Sequence, residues 1–232
     1  MFDAMLRRRL DGPLAVAAER IDRSWVTPDR LTMTGLALGL ASAGLAAGQQ
    51  WGWALVAWLL SRVMDGLDGP LARRRSAGTG SPAGGFLDIT ADFVVYGTTV
   101  IGVAVGVAGT STSLGQWLPF LAVLLAYYVN GAAFLAFSSI AERSRHRIDD
   151  GRSLSFLGGV AEGAETILVH SLWLILPGHA ALVATVWAGV VGVSGVHRIA
   201  AGYRTLRGPS VPATRPRDGR EGAGPPDGLP QA

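Results

Sequence analysis

Four aspartates form two pairs that flank a short glycine-rich stretch of the chain. Asp65 and Asp68 are three residues apart, and Asp88 and Asp92 are four apart. Because residues at these spacings share one face of a helix, each pair projects to a single side. Both predicted helices meet the same connecting stretch, so the four carboxylates can converge at one end of a helix pair.

Four like charges need compensation, and Asp65 and Asp92 are embedded in apolar sequence, where a carboxylate costs about 3 kcal/mol. Two divalent cations would offset the charge, and carboxylates without nearby His or Cys favour Mg²⁺ or Mn²⁺ over zinc. Two such ions also form a template for phosphoryl displacement. We therefore predict a two-metal site at Asp65, Asp68, Asp88 and Asp92. A role as helix caps or solvated charges would suit Asp88 alone.

The neighbouring residues suit a phosphate ligand. Gly69 and Ala72 leave room for a bulky group against the helix, and Arg73 offers a planar fork for phosphate oxygens. Thr79 and Gly84 belong to a loop that can wrap a nucleotide. Arg62, one turn before Asp65, is expected to pair with an aspartate rather than touch substrate.

The chain that positions these residues is strongly apolar. Of its 232 residues, 49% are hydrophobic and 16% are charged, against about 25% charged in soluble domains. The absence of cysteine excludes a disulfide scaffold, a thiolate metal site and a cysteine nucleophile. Since backbone polar groups must be paired within lipid, apolar runs near the ~20 residues of a membrane span should be helices. We predict an all-α integral membrane protein with six transmembrane helices, at 31–48, 51–72, 86–106, 117–139, 156–176 and 180–200.

Arginines predict the orientation of these spans. They precede the first span and follow the second, fourth and sixth, whereas connections 49–50, 107–116 and 177–179 contain none. Because positive loops stay in the cytoplasm, both termini and the acidic cluster are predicted on the cytoplasmic side of the cell (inner) membrane. The same scatter argues against nucleic-acid binding, which would gather the arginines on one soluble face.

Three regions follow from these patterns. Residues 1–25 carry apolar side chains at three- and four-residue steps, which predicts an amphipathic helix on the membrane surface or, alternatively, one packed on another chain. Residues 26–206 form the six-helix domain. Residues 207–232, rich in Pro, Gly and charge, are predicted to be disordered. Small-residue stripes (Gly35, Gly39 and Ala43; Gly102 and Gly106) allow close helix packing, within the chain or in a homodimer.

The acidic pairs resemble the signature of the CDP-alcohol phosphotransferase (CDP-alcohol phosphatidyltransferase) family. Its pattern D-x2-D-G-x2-A-R, a spacer, then G-x3-D-x3-D is filled at every fixed position, by Asp65, Asp68, Gly69, Ala72, Arg73, Gly84, Asp88 and Asp92. The spacer has ten residues, where about eight are common in the family. The stretch 27–32 (TPDRLT) is similar to the family's T-P-N-x-x-T, with Asp29 where Asn is common. The stretch 158–166 resembles a branch of bacterial inner-membrane proteins whose acceptor is unassigned.

This resemblance implies transfer of a phosphatidyl group from a CDP-linked lipid such as CDP-diacylglycerol to an alcohol acceptor, with release of CMP, in phospholipid biosynthesis. Asp65 and Asp88 would touch both metal ions, Asp68 one and Asp92 the other. Asp92 would also take the proton of the acceptor hydroxyl. The implied nucleotide contacts are Asp29, Thr32, Gly69, Ala72, Arg73, Thr79 and Gly84.

The acceptor is expected near the cytoplasmic ends of the last three helices, where the candidates are Arg143, Arg145, Arg198, Glu162 and Glu165. His170 and His197 are interpreted as packing residues. Two other functions use the same acidic cluster: a divalent-cation carrier and a catalytically silent membrane partner. The outer halves of the spans are nearly all Ala, Val, Leu and Gly, which leaves a carrier no polar path. The presence of all four aspartates argues against the silent partner.

Overall fold

The structure is a computed structural model that describes residues 2–75, 81–111, 113–143 and 163–207. The described part is helical and contains no β-strand, which confirms the predicted all-α class. Its helices are α1 (Phe2–Ile21), α2 (Pro28–Ala47), α3 (Trp51–Arg75), α4 (Pro82–Ala108), α5 (Leu114–Arg143), α6 (Gly163–Ile175) and α7 (Ala180–Arg207). A short 3-10 turn, Pro177–His179, joins α6 to α7.

Four of the described segments are long and apolar enough to cross a membrane: α2, α4, most of α5, and α7 together with its preceding turn. Helix α3 is not among them, because Arg62, Asp65, Asp68 and three terminal arginines interrupt its second half. Helix α6 is apolar but covers 13 residues. The predicted fifth span begins at residue 156, outside the described residues. The protein therefore has several membrane-length apolar helices, and the six-span arrangement stays a prediction.

Local sequence signals define where the site-bearing helices begin. The Thr27 side chain caps α2 by accepting a hydrogen bond from the Arg30 amide, and Ser81 caps α4 by accepting one from Gly84. A proline occupies the first helical position in both cases, where its missing N–H costs nothing. The short connection at 49–50 forms a tight hairpin between α2 and α3, in which Gln49 turns the chain with a φ of 60°.

The small-residue stripes pack within the chain. A Cβ atom added to Gly102 or Gly106 of α4 would overlap the backbone of Ala43 or Ala46 in α2. A Cβ added to Gly35 of α2 would lie 3.2 Å from the Ser61 carbonyl oxygen of α3. Helix α2 is thus held tightly between α3 and α4, as small residues permit. This packing brings the two acidic pairs to a common end of the bundle.

Helix α1 packs on the protein itself. Leu14, Ala17, Ala18 and Ile21 form an apolar cluster with α2 and α3 residues such as Leu71. A helix is present over Phe2–Ile21, and the apolar residues near its end are covered by α3, whereas its amphipathic character stays a prediction. Its contact with lipid stays a prediction. The tail predicted to be disordered lies outside the described residues, apart from Arg207.

Candidate active site

The four predicted aspartates face one another across α3 and α4. Asp65 and Asp88 interact with each other, and each also interacts electrostatically with Asp68 and Asp92. Asp68 is buried and the other three are partly buried. Neighbouring carboxylates repel one another unless a proton or a cation offsets their charge. The site is therefore built to hold positive charge.

Arg62 supplies one such charge. Its Nη1 atom donates a hydrogen bond to Asp92 Oδ1 at 2.7 Å and lies 3.7 Å from Asp65 Oδ2. This ion pair confirms the expectation that Arg62 pairs with an aspartate. The neighbouring Thr32 hydroxyl, buried on α2, donates a hydrogen bond to Asp68. One guanidinium leaves most of the negative charge of the cluster uncompensated.

The oxygen-only donor set suits hard divalent cations such as Mg²⁺ or Mn²⁺. Within the described residues, however, no three His, Cys, Asp or Glu side chains are arranged as a ready-made metal site. Arg62 pairs with Asp92, and Asp88 interacts with Asp65.

The residues predicted to contact the nucleotide gather beside the acidic cluster. The Arg73 guanidinium lies close to Gly69. A Cβ atom added at Gly69 would be 3.3 Å from Arg73 Nη1. A Cβ at Gly84 would be 3.5 Å from Asp29 Oδ1, so the first turns of α2 and α4 are adjacent. Ala72 is partly buried near the end of α3. Thr79 lies outside the described residues.

The two arginines that follow Arg73 form ion pairs with helix α1, a contact that the sequence analysis missed. Arg74 pairs with Glu19 and Asp22, and Arg75 donates two hydrogen bonds to Asp22. The hydrogen bonds and charge of Arg75, reinforced by Arg74, hold the pKa of Asp22 below its ordinary value. The available signal was a run of basic residues on one predicted helix and acidic residues on another. Spacing along the chain, however, does not predict which residues of separate helices pair.

The acceptor candidates are only partly described. Arg198 of α7 is 7% exposed, and its guanidinium carbon lies 5.7 Å from the Phe134 ring centroid. Glu165 lies in the first turn of α6, and its buried Oε2 has no hydrogen-bond partner among the described residues. Arg143 ends α5, whereas Arg145 and Glu162 lie outside the described residues. Sequence analysis missed Asn130, whose buried Oδ1 likewise has no hydrogen-bond partner among the described residues. Asn130 packs against α7, since a Cβ atom added at Gly195 would lie 3.6 Å from the Asn130 Cα and Cβ atoms.

His170 is a packing residue, as expected. It is fully buried, its ring centroid lies 4.9 Å from that of Trp58 and 4.6 Å from that of Trp173, and its Nε2 atom is 2.9 Å from the Tyr127 hydroxyl. His197 is exposed on α7.

Comparisons with known proteins place the chain in one family. A family model described as CDP-alcohol phosphatidyltransferase matches residues 25–194. Inner membrane protein YnjF of Escherichia coli is 36% identical over 214 residues, which cover 89% of this chain and 98% of that protein. Archaetidylinositol phosphate synthase of Methanothermobacter thermautotrophicus is 34% identical over 170 residues, 72% of each chain.

Solved structures share the fold. Phosphatidylinositol phosphate synthase (PgsA1) of Mycobacterium tuberculosis with CDP-DAG bound has a TM-score of 0.67 at 21% identity, covering 82% of this chain and 93% of that one. The same enzyme in complex with manganese and citrate has a TM-score of 0.66 at 21% identity, covering 82% and 88%. At 21% identity, these structural similarities show a shared fold and no more.

Proposed function

Because the chain belongs to the CDP-alcohol phosphatidyltransferase family, we propose that it transfers a phosphatidyl group from CDP-diacylglycerol to an alcohol acceptor and releases CMP. That it is a transferase of phospholipid synthesis follows from the family itself, and the resemblance inferred from the motif is thereby confirmed. The donor lipid, the acceptor and the mechanism belong to the proposal.

The observation that carries the proposal is the convergence of Asp65, Asp68, Asp88 and Asp92 from two helices, at the positions of the family signature. A fold neighbour binds CDP-DAG and crystallises with manganese, which supports the same donor class and a divalent ion here. The four carboxylates would hold two Mg²⁺ or Mn²⁺ ions. When bound, such ions supply Lewis-acid polarisation of the pyrophosphate and offset its charge.

The chain's own residues bind and orient the reactants. Arg73, beside the flat surface at Gly69, would bind a phosphate oxygen of the nucleotide, and the adjacent Asp29 and Gly84 would border the rest of it. Thr32 and Ala72 line the same end, and Thr79 is retained as a proposed contact. These groups would fix the pyrophosphate against α3, which lowers the entropic part of the barrier.

Asp92 would act as the general base. Its carboxylate takes the proton from the acceptor hydroxyl while the hydroxyl oxygen forms a bond to the β-phosphorus. The bond between that phosphorus and the oxygen of CMP breaks, so CMP departs with the electron pair and Arg73 helps to hold its charge. Transfer occurs directly between donor and acceptor, without a covalent enzyme intermediate.

The acceptor would enter between α5, α6 and α7, where Arg198 and Glu165 are the described candidates. We further propose six membrane spans, with the site and both termini on the cytoplasmic side of the inner membrane. The arginine distribution and the inner-membrane relative support that orientation.

The test uses the full chain, purified in detergent, with labelled CDP-diacylglycerol and a panel of alcohols: inositol phosphate, glycerol phosphate, serine and other polyols. We expect Mg²⁺- or Mn²⁺-dependent CMP release with one of them, and a loss of about 10²-fold or more in Asp92→Asn. Glu19→Gln is the matched control, because it also removes one negative charge, at an exposed pair of little energetic weight.

Thermal unfolding would verify that both variants are folded. CMP release that survives in Asp92→Asn would remove this residue from the mechanism. Mn²⁺ uptake into liposomes without CMP release would instead favour the cation carrier.

A further inference from the structure

Arg62 is an unusual residue in its position. It follows eleven predominantly apolar residues of α3, and its side chain is 6% exposed. An arginine at membrane depth is costly unless it is paired or has a specific role. The guanidinium lies beside the neighbouring rings of Trp58 and Tyr96, with its central carbon 5.1 Å from each ring centroid.

The hydrogen bonds of this guanidinium are incomplete. Nη1 donates to Asp92 and, at 3.3 Å, to the Tyr96 hydroxyl, and Nη2 donates to Ser61 at 3.0 Å. Nε is buried and has no partner within the described residues. A buried donor left unsatisfied calls for an explanation. A side chain that alternates between two positions need not satisfy every hydrogen-bond donor in either of them.

The carboxylates that Arg62 contacts are those proposed to bind metal. Its Nη1 atom lies against Asp92 and near Asp65, one residue from each helix of the acidic cluster. A guanidinium and a divalent ion repel each other and need the same oxygen atoms. Both cannot occupy this position together.

The two aromatic rings provide somewhere for the displaced side chain to stay. A guanidinium within about 6 Å of an aromatic ring centroid is attracted to the ring face. Since its guanidinium carbon is 5.1 Å from the Trp58 and Tyr96 centroids, Arg62 can leave Asp92 by a side-chain rotation and move closer to the ring faces, where the attraction is stronger.

We propose that Arg62 is an exchangeable cation of the acidic cluster. It pairs with Asp65 and Asp92 while the divalent ions are absent, and it moves onto the Trp58 and Tyr96 rings when they bind. This inference rests on the proposed function, since it assumes that the aspartates bind two ions. Arg62 is thus a positioning residue that acts through Asp92 and the metals.

The test measures Mn²⁺ binding to the detergent-solubilised full chain without substrate, by electron paramagnetic resonance of the free ion. Removing the competing cation in Arg62→Gln should tighten Mn²⁺ binding about tenfold, since close charge pairs couple by well over 1 kcal/mol. The same variant should unfold at a lower temperature in the absence of metal. Arg74→Gln is the matched control: it removes a surface arginine of the same helix and should leave Mn²⁺ affinity unchanged.

A double-mutant cycle separates displacement of Arg62 from simple charge repulsion. Trp58→Leu or Tyr96→Leu should weaken Mn²⁺ binding several-fold, because the displaced guanidinium loses a ring. In the Arg62→Gln background the same substitutions should have no effect on Mn²⁺ affinity. Tyr96→Phe keeps the ring and loses only the hydroxyl that accepts from Nη1 in the metal-free state, so it should not weaken Mn²⁺ binding.

Equal effects of the ring substitutions in both backgrounds would overturn the inference while leaving the proposed function intact. Mn²⁺ affinity that is unchanged or weaker in Arg62→Gln would also overturn it, and this variant alone decides the matter if the leucine variants do not fold. Failure of every variant and of the unmodified protein to bind Mn²⁺ would instead refute the metal site itself.

Discussion

Replacing Gly102 by alanine tests whether the close contact between α2 and α4 holds the site together. A Cβ atom at Gly102 would overlap the carbonyl oxygen and Cα of Ala43, which are backbone atoms and cannot rotate away. Overpacking of this kind costs about 1–3 kcal/mol, and the rigid obstruction places the expected cost at the upper end. The exchange also gains about 1 kcal/mol of helix propensity. The net loss of stability is therefore about 2 kcal/mol.

Gly97 of the same helix is the matched control. A Cβ atom there meets nothing within 4 Å, so Gly97→Ala gains the propensity term without the clash. The two variants should then differ by about 3 kcal/mol, which corresponds to roughly 10 °C in Tm for a protein of this size.

Circular dichroism during thermal unfolding, in one detergent for both variants, measures this difference. CMP release should fall in Gly102→Ala, because pushing α4 away from α2 moves Asp88 and Asp92 relative to the α3 carboxylates. Equal Tm values for the two variants would refute the reasoning, since only the clash distinguishes them.

Two further predictions concern contacts at the end of the bundle that carries the acidic cluster. Thr32→Val removes the side-chain hydroxyl that donates to the buried Asp68, and it should lower the free energy of unfolding by about 1–3 kcal/mol. Thr34→Val, at an exposed site, should change the free energy of unfolding by less than about 0.5 kcal/mol. Thermal unfolding compares the two variants, and equal losses of stability would contradict the assigned hydrogen bond. The pKa of Asp22 lies below its ordinary value of 3.8. The stabilisation from the ion pairs of Asp22 with Arg74 and Arg75 is therefore complete above that pH and is lost as the pH falls through the lowered pKa. Limited pepsin digestion should therefore release α1 increasingly as the pH falls below 3.8, and Asp22→Asn should remove this pH dependence.

Much of the fold was predictable from local sequence. Helix starts at Thr27 and Ser81 follow from caps and adjacent prolines, and the α2–α3 hairpin follows from two polar residues between apolar runs. These features depend on residues within a few positions of one another, so their physics is contained in short windows. Of the fifth predicted span, the described part, Gly163–Ile175, is helical.

The candidate site was predictable in its members and less so in their pairing. The spacing of the four aspartates places each pair on one helix face, whatever the rest of the fold does. Which cation lies among them was not fixed by spacing: Arg62 had several aspartates in reach and in the structure contacts Asp92 and Asp65. Buried groups such as Asn130 give no sequence signal, because burial depends on neighbours that are distant along the chain.

The amino-acid sequence by itself determined the helices, their apolar character, the positive connections and the chemistry of the acidic cluster. Only the tertiary structure decided that α1 packs on α3, that Gly102 meets the backbone of Ala43, and that Arg62 lies beside two rings and two carboxylates. The physical reason is range. Propensity, capping and face periodicity act over a few residues, whereas packing and charge pairing depend on which distant residues the folded chain brings within a few ångströms.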